Sequence, residues 1–390
     1  MNNIPLIQSL KKCIIQLNNR SIIKVVGKDA LKHLNGLTTN HLIRLKDNQS
    51  PYVSSQYNGF LAPNGRLLFD SIISLDRSHY GQGTTTSLET DIDAFLIDID
   101  KAVSKEAIDH LKQYKMRNKI DIIDVSDQYN LYSILDKTYK TVRDKDQSLV
   151  ELESQECSVI MDPRHDIMGL RILMPKGVKN ASELQNGLLS KFTQLPEEYY
   201  HLFRLSQGIA EGVEECQYSQ VIPLEYNFDL LNGVDFHKGC YLGQELTSRT
   251  HFTGLIRKRV FPVVMKVDQV ESVSVMDEAL LSNESVPPKE SHLFPLRISN
   301  SLSLELPPKD SVLSVKNNNH TEEAGYSRSQ DKFVSGQKSV GLAMLKLDNI
   351  DIFQLDNTTI KDQQQRDITL LPPCWLSKVT NPKQPIQEVS

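Results

Sequence analysis

The chain has 390 residues, which is enough for two or three ordinary domains. Lys and Arg total 44 against 49 Asp and Glu, and a net charge of −5 excludes a general nucleic-acid coat protein. No apolar run approaches the roughly 18 residues of a membrane-spanning helix, so the sequence also argues against an integral membrane protein.

The first 28 residues contain no acidic side chain, and the first acid is Asp29. Lys11, Lys12 and Arg20 lie among apolar residues in this stretch. A basic, acid-free, amphipathic start is typical of a mitochondrial presequence, which we place at residues 1–18. An ordinary first helix of the folded protein explains the same pattern equally well.

Strands and helices alternate irregularly between residues 19 and 260, which favours an α+β fold over a doubly wound α/β fold. The turn Pro63-Asn64-Gly65 between two apolar runs predicts a hairpin. A charged loop makes a break between two subdomains plausible near residues 145–158. The predicted helices are Asp29–Leu37, Lys101–Tyr114 and Glu197–Gly208; the predicted strands are Ser21–Val26, Leu67–Leu75, Ala94–Ile99, Lys119–Val125, Ser158–Met161 and Gly169–Met174.

From about Phe261 the pattern becomes strand-like, and residues 261–376 are assigned to a second domain. Strands are predicted at Ser339–Leu347 and Asp351–Leu355. Between them and Phe261 lies the segment 267–319, which has ten serines and five prolines. Because such a composition cannot support a packed core, we expect a disordered insertion there. Residues 377–390 form a polar tail.

The five cysteines are far apart, odd in number and without a C-x-x-C pair, which indicates a reducing compartment and neither a disulfide framework nor a closed zinc site. They are Cys13, Cys157, Cys216, Cys240 and Cys374.

Cys240 lies in the most informative segment, where Gly239 and Gly243 allow a tight turn that exposes the thiol. Lys238 next to it would favour the thiolate, which is the form that binds metal. Residues 238–259 contain five basic side chains and one acid, so we expect this patch to face an anion. A buried, inert cysteine and a solvated strand end are the simpler interpretations of the same residues.

The stretch K-G-C-Y-x-G-Q-E, here Lys238 to Glu245, resembles the signature of the YgfZ family of folate-binding proteins. L-T-S-R-T-H (246–251) and I-R-K-R (256–259) resemble its mitochondrial branch. Matches elsewhere include G-R-L-L-F-D (65–70), D-P-R (162–164) and I-P-L-E (222–225), and the resemblance covers about residues 20–265 and 322–376. His41, where an acid is usual, and the 267–319 insertion depart from the pattern.

The resemblance implies an aminomethyltransferase-like α+β body followed by a C-terminal β-barrel. It also implies a central cavity suited to tetrahydrofolate. The candidate folate-binding residues are Arg66, Asp70, Arg171 and Glu225. Arg66 and Asp70 fit a surface turn pair as well, and an internal ion pair is the alternative for Arg171.

The implied function is that of a mitochondrial-matrix assembly factor for [4Fe–4S] proteins such as aconitase and lipoate synthase, acting with A-type scaffold proteins. One cysteine cannot hold a cluster, which normally needs four. Cys240, in the loop with Gln244 and Glu245, is therefore assigned as a ligand of an iron–sulfur cluster shared with the partner. Arg249, Arg257, Lys258 and Arg259 would offset the cluster's charge or hold the folate tail.

Three other functions are weighed against this hypothesis. A folate-dependent one-carbon transferase would not need the conspicuous cysteine. A redox enzyme with Cys240 as nucleophile lacks a nearby resolving thiol, since the nearest in sequence is Cys216. A cofactor-free interaction scaffold that inherited the pocket is the third.

Overall fold

The computed structural model of the chain describes residues 13–46, 55–76, 92–135, 157–176, 187, 190, 192–252, 255–265, 306–317, 330–352, 354–355 and 358–379. The helices in these ranges are α1 (Ala30–Asn35), α2 (Ser104–Gln113), α3 (Glu197–Ser206), α4 (Gly212–Glu215) and α5 (Gln244–Phe252). The strands are β1 (Cys13–Leu17), β2 (Arg20–Gly27), β3 (Ser55–Leu61), β4 (Leu67–Leu75), β5 (Asp93–Asp100), β6 (Asp121–Asp124), β7 (Tyr129–Leu135), β8 (Ser158–Met161), β9 (Leu170–Pro175), β10 (Thr193–Leu195), β11 (Lys258–Met265), β12 (Ser314–Asn317), β13 (Lys332–Gln337), β14 (Val340–Lys346), β15 (Thr358–Lys361) and β16 (Asp367–Leu370). Among the described helices, none has the length and apolar character needed to cross a bilayer.

The first sheet, sheet I, has the strand order β10-β1-β7-β9-β8. Strand β1 is internal to it, antiparallel to β7 and parallel to β10. Four of its five residues are buried, because C-I-I-Q-L is an almost continuous apolar run. The alternative interpretation as a first helix is therefore wrong for Cys13–Leu17, while the presequence stays a prediction. Residues 1–12 lie outside the described ranges.

Sheet II has the order β3-β4-β5-β2-β6 and contains the predicted hairpin. Strands β3 and β4 pair from Ser55–Ser74 to Leu61–Leu67 around the Pro63-Asn64-Gly65 turn. Helices α1 and α2 bury Ala30, Leu34, Ala107 and Leu111 in one apolar cluster with side chains of sheet II. The predicted α+β body is thus confirmed.

Sheet III, with the order β12-β15-β16-β11-β14-β13, forms the C-terminal part as a curled half-barrel. Its two edges approach each other at a bridge between Val312 and Lys332. The predicted disorder of 267–319 is wrong for residues 306–317, because β12 pairs with β15. Residues 266–305 lie outside the described ranges. The described residues of 351–355 form no strand, and the strand after β14 is Thr358–Lys361.

A buried network of ion pairs joins sheets I and II. Arg20 of β2 and Arg171 of β9 both approach Asp98 of β5, each at 2.7 Å. Arg164, in the turn after β8, binds Asp162 and Glu211, each at 2.6 Å. Burial alone would raise the pKa of Glu211, but the four arginines around it hold that pKa well below its usual range. Glu211 therefore stays ionised, and the ion pairs fix the two sheets to each other.

Candidate functional site

Cys240 lies in the loop that leads into α5, and of the five cysteines it is the exposed one. Gly239 and Cys240 both face solvent, while the chain is held on either side of them. After Cys240, the amide of Leu242 donates to the carbonyl of Gly36, which follows α1, at 2.9 Å. The thiol is thus presented on an anchored loop at the surface.

Before Cys240, the ammonium of Lys238 is bound to the backbone that follows α1. Its Nζ donates to the carbonyl oxygens of Asn35, Thr38 and Asn40 at 2.9, 2.6 and 2.9 Å. A neutral amine has only two N–H groups, so these three bonds require the protonated form. Burial lowers the pKa of Lys238 to about 7. The ammonium of Lys238 therefore anchors the start of the loop. Its effect on the Cys240 thiolate stays a prediction.

The hairpin turn of sheet II supports the loop from the other side. Gly243 has φ +77°, and a Cβ there would meet the carbonyl oxygen of Ala62 at 2.3 Å. A Cβ on Gly65, at the hairpin turn, would meet Leu246 of α5 at 2.6 Å. Both positions thus need glycine for the hairpin and the loop to pack together. Gly239, in contrast, has open space around it.

The remaining residues of the signature start α5. The side-chain oxygen of Gln244 accepts a hydrogen bond from the amide of Tyr241 at 3.0 Å, which closes the turn before the helix. Glu245 is exposed in the first turn of α5, where a carboxylate interacts favourably with the helix dipole. Both residues shape or flank the loop.

The four residues of the predicted anion patch differ in exposure. Arg259 is fully buried and binds Asp229 through two bonds of 2.9 and 2.7 Å. Lys258 pairs with Glu225 at 3.4 Å. Two of the four predicted residues, Arg249 and Arg257, are exposed.

The four folate candidates lie in two kinds of surroundings. Asp70 and Arg171 are buried: Asp70 accepts from the amide of Gly212 at 2.9 Å, and Arg171 forms the internal ion pair with Asp98. Burial raises the pKa of Asp70 to about 6, against the opposing effect of Arg20. Arg66 and Glu225 are only partly buried, and Arg66 donates to the carbonyl of Gln220. Two candidates are thus buried and bonded within the protein and two are partly exposed, and their role in binding folate stays a prediction.

Sequence analysis missed two side chains near the loop, Phe252 and Leu255, which are strongly exposed. The spacing of Glu245, Arg249 and Phe252 at i, i+4 and i+7 places them on one helical face and could have pointed to Phe252. Leu255 gave no such signal, because it lies beyond the helix.

We expect Lys238→Met to loosen the loop, because the three bonds of its ammonium to backbone carbonyls are lost. One lost hydrogen bond to a charged group is worth about 1.5–3 kcal/mol, so amide exchange at Leu242 should accelerate about tenfold or more. Lys258→Met is the control, since Lys258 pairs elsewhere. Slower alkylation of Cys240 with unchanged exchange would instead show that Lys238 acts on the thiolate and does not anchor the loop.

No family model matches the chain. A solved structure of the glycine cleavage system aminomethyltransferase T from Bartonella henselae has a TM-score of 0.58 at 10% identity, over 97% of this chain and 88% of that chain. The chain therefore has the aminomethyltransferase-like fold.

Curated relatives identify the family within that fold. A protein of Dictyostelium discoideum, named iron–sulfur cluster assembly factor IBA57 homolog, mitochondrial, is 58% identical over 414 aligned positions, which cover 100% of both chains. A protein of the same name from Coccidioides immitis is 31% identical over 86% of this chain and 72% of its own length. The chain belongs to the IBA57 family of iron–sulfur cluster assembly factors and is a mitochondrial protein.

Proposed function

We propose that the chain supplies one cysteine ligand, Cys240, to an iron–sulfur cluster that it shares with an A-type scaffold protein in the mitochondrial matrix. The assembled cluster would serve [4Fe–4S] proteins such as aconitase and lipoate synthase. The observation that carries this proposal is the exposed thiol on a loop held at both sides, by Lys238 and by Leu242. A ligand presented in this way can be reached by a second protein.

The chemistry of the site supports a shared cluster over a private one. Within the described ranges, no group of three or more His, Cys, Asp or Glu side chains could hold a metal ion. Because a cluster normally takes four cysteine ligands, the other ligands would come from the partner. The partner must therefore bring thiolates within bonding distance of Cys240.

The aminomethyltransferase-like fold supports tetrahydrofolate binding by this chain. Binding of tetrahydrofolate and one-carbon transfer stay predictions of the family resemblance. Calorimetric titration with tetrahydrofolate measures the first of these directly.

Rescue of cells that lack the protein tests the proposed function. We expect Cys240→Ser to leave aconitase activity at the level of the unrescued cells, because the hydroxyl is a poor iron ligand. Cys374→Ser is the matched control, since Cys374 is less exposed and lies in the C-terminal part. Normal aconitase activity in cells that express Cys240→Ser at wild-type level would contradict the ligand role.

A further inference from the structure

The exposed residues Gly239 and Cys240 lie between two residues whose side chains contact each other. The Nζ atom of Lys238 lies over the ring of Tyr241, 4.7 Å from the ring centroid. A cation within about 6 Å of the centroid is attracted to the negative face of an aromatic ring. Lys238 and Tyr241 therefore close a short turn through their side chains, and Cys240 lies on that turn.

Tyr241 has a fixed place in the fold. Its amide donates to the side-chain oxygen of Gln244 at 3.0 Å, and its carbonyl accepts from the Gln244 amide at 3.3 Å, so its backbone is tied to the start of α5. Its ring is partly buried and packs against the main apolar cluster of the protein. Burial raises the pKa of the phenol, which stays neutral. A neutral ring held in this way can fix a cation that lies over it.

The ammonium of Lys238 is the cation over that ring. Its three N–H groups already donate to the carbonyls of Asn35, Thr38 and Asn40, and the ring adds a further contact to the same nitrogen. Lys238 is partly buried, and a cation–π contact strengthens when the cation loses water. The ring therefore helps to hold the ammonium at the carbonyls that follow α1.

The closed turn limits the directions in which the Cys240 side chain points. Gly239 has open space around it and does not restrict the turn by steric contact. The restriction comes from the contact between Lys238 and Tyr241 on either side. A ligand that is ordered before binding does not have to lose that freedom when its partner arrives, which strengthens the complex.

We propose that Tyr241 is a positioning residue for Cys240: its ring holds the ammonium of Lys238, and the closed turn fixes the direction in which the thiol meets the shared cluster. This inference rests on the proposed function for the role of the thiol. The contact that it invokes is measured on the chain alone. The face of the ring makes the contact, so the phenol hydroxyl is not needed for it.

A double-mutant cycle on the full chain, read from amide exchange at Leu242, tests the contact. We expect Tyr241→Leu to accelerate exchange about tenfold, and Tyr241→Phe, which keeps the aromatic face, to stay within about twofold. In Lys238→Met the ring has no cation to hold, so the addition of Tyr241→Leu should change exchange less than about threefold. Multiplication of the two single effects, or an equal acceleration in Tyr241→Phe, would overturn the proposal.

A second lysine–tyrosine contact provides the matched control. Lys338 lies over the ring of Tyr199 in α3, 5.6 Å from its centroid. Tyr199→Leu should leave exchange at Leu242 within about twofold, because that ring holds Lys338 and not Lys238. An acceleration equal to that of Tyr241→Leu would reduce the effect to general destabilisation and overturn the proposal.

Pentafluorophenylalanine at position 241 takes the place of Tyr241→Leu if that variant does not fold. It keeps the size of the ring and reverses the charge of its face, so we expect the same acceleration of about tenfold. Exchange at Leu242 at the wild-type rate with this residue would overturn the proposal.

Formation of the shared cluster with an A-type scaffold protein measures the consequence for Cys240. With iron and sulfide supplied, Tyr241→Leu should need about tenfold more chain for half-maximal cluster formation, and Tyr241→Phe should restore the wild-type value. Alkylation of Cys240 by a small reagent should stay within about threefold, because such a reagent needs no fixed direction of the thiol. Wild-type cluster formation by Tyr241→Leu, or alkylation slowed in parallel with it, would overturn the positioning role. Wild-type cluster formation by Cys240→Ser would contradict the proposed function instead, and the cycle at Leu242 would still decide the contact.

Discussion

Replacing Arg259 by methionine is expected to lower the free energy of unfolding by about 3–5 kcal/mol, because it leaves a buried carboxylate without its partner. The side chains of Arg259 and Asp229 are both fully inaccessible, at a distance of 2.7 Å. Arg259 also donates to the carbonyl of Leu224 and to the side chain of Asn227, at 3.0 and 3.2 Å. Without Arg259, these acceptor groups lose their hydrogen-bond donor at the contact between the body and the half-barrel. Urea unfolding measures the change.

Two further variants show whether the effect comes from the unpaired charge. Arg257→Met, at an exposed position two residues earlier, should stay within about 0.5 kcal/mol of the wild type. Adding Asp229→Leu to Arg259→Met should recover much of the loss, because replacing both members of a buried pair by apolar residues is often neutral. Unchanged stability in Arg259→Met would show instead that Arg259 belongs to the exposed anion patch.

Local signals explain why the hairpin and the first helix were predicted well. The Pro63-Asn64-Gly65 turn lies between two apolar runs, and β3 and β4 pair around it. Helix α1 (Ala30–Asn35) lies within the predicted helix Asp29–Leu37. Asp29, however, accepts a hydrogen bond from the amide of Lys119 at 2.7 Å and does not cap the helix. Sequence thus located the helix but not this tertiary contact.

The strands β1 and β12 were missed because distant parts of the chain make them strands. Cys13 of β1 lies opposite Leu135 and Thr193, and Ser314 of β12 lies opposite Lys361. Neither segment forms a hairpin with a near neighbour, so the periodicity of the sequence carried no pairing signal. The basic start of the chain and the serines and prolines before β12 favoured other interpretations.

The sequence correctly predicted that Cys240 is exposed, but it did not show which way the neighbouring basic side chains point. Exposure of Cys240 followed from the turn around it. Composition alone counted Lys238 and Arg259 as part of a positive surface, although both point into the protein. Alternate residues of a strand face opposite sides, but the sequence does not say which side is the core. The directions of these side chains come from packing against α1 and the segment 224–229.

The second large effect is expected at Cys240 itself, in the complex with the scaffold protein. With iron and sulfide supplied, the complex with the full chain should form a cluster whose sulfur-to-iron charge-transfer bands include a contribution from the Cys240 thiolate. Cys240→Ser removes that ligand without disturbing the anchors of the loop at Lys238 and Leu242. Cys374→Ser, at a less exposed cysteine, should leave the bands unchanged.

The ligand role of Cys240 is therefore tested most directly by the absorption and circular dichroism spectra of the reconstituted complex. These spectra are recorded with the wild-type chain and with Cys240→Ser. We expect the bands of the shared cluster to disappear in the complex with Cys240→Ser, so that at most the spectrum of the scaffold protein alone remains. An identical spectrum and cluster stoichiometry in both complexes would contradict it.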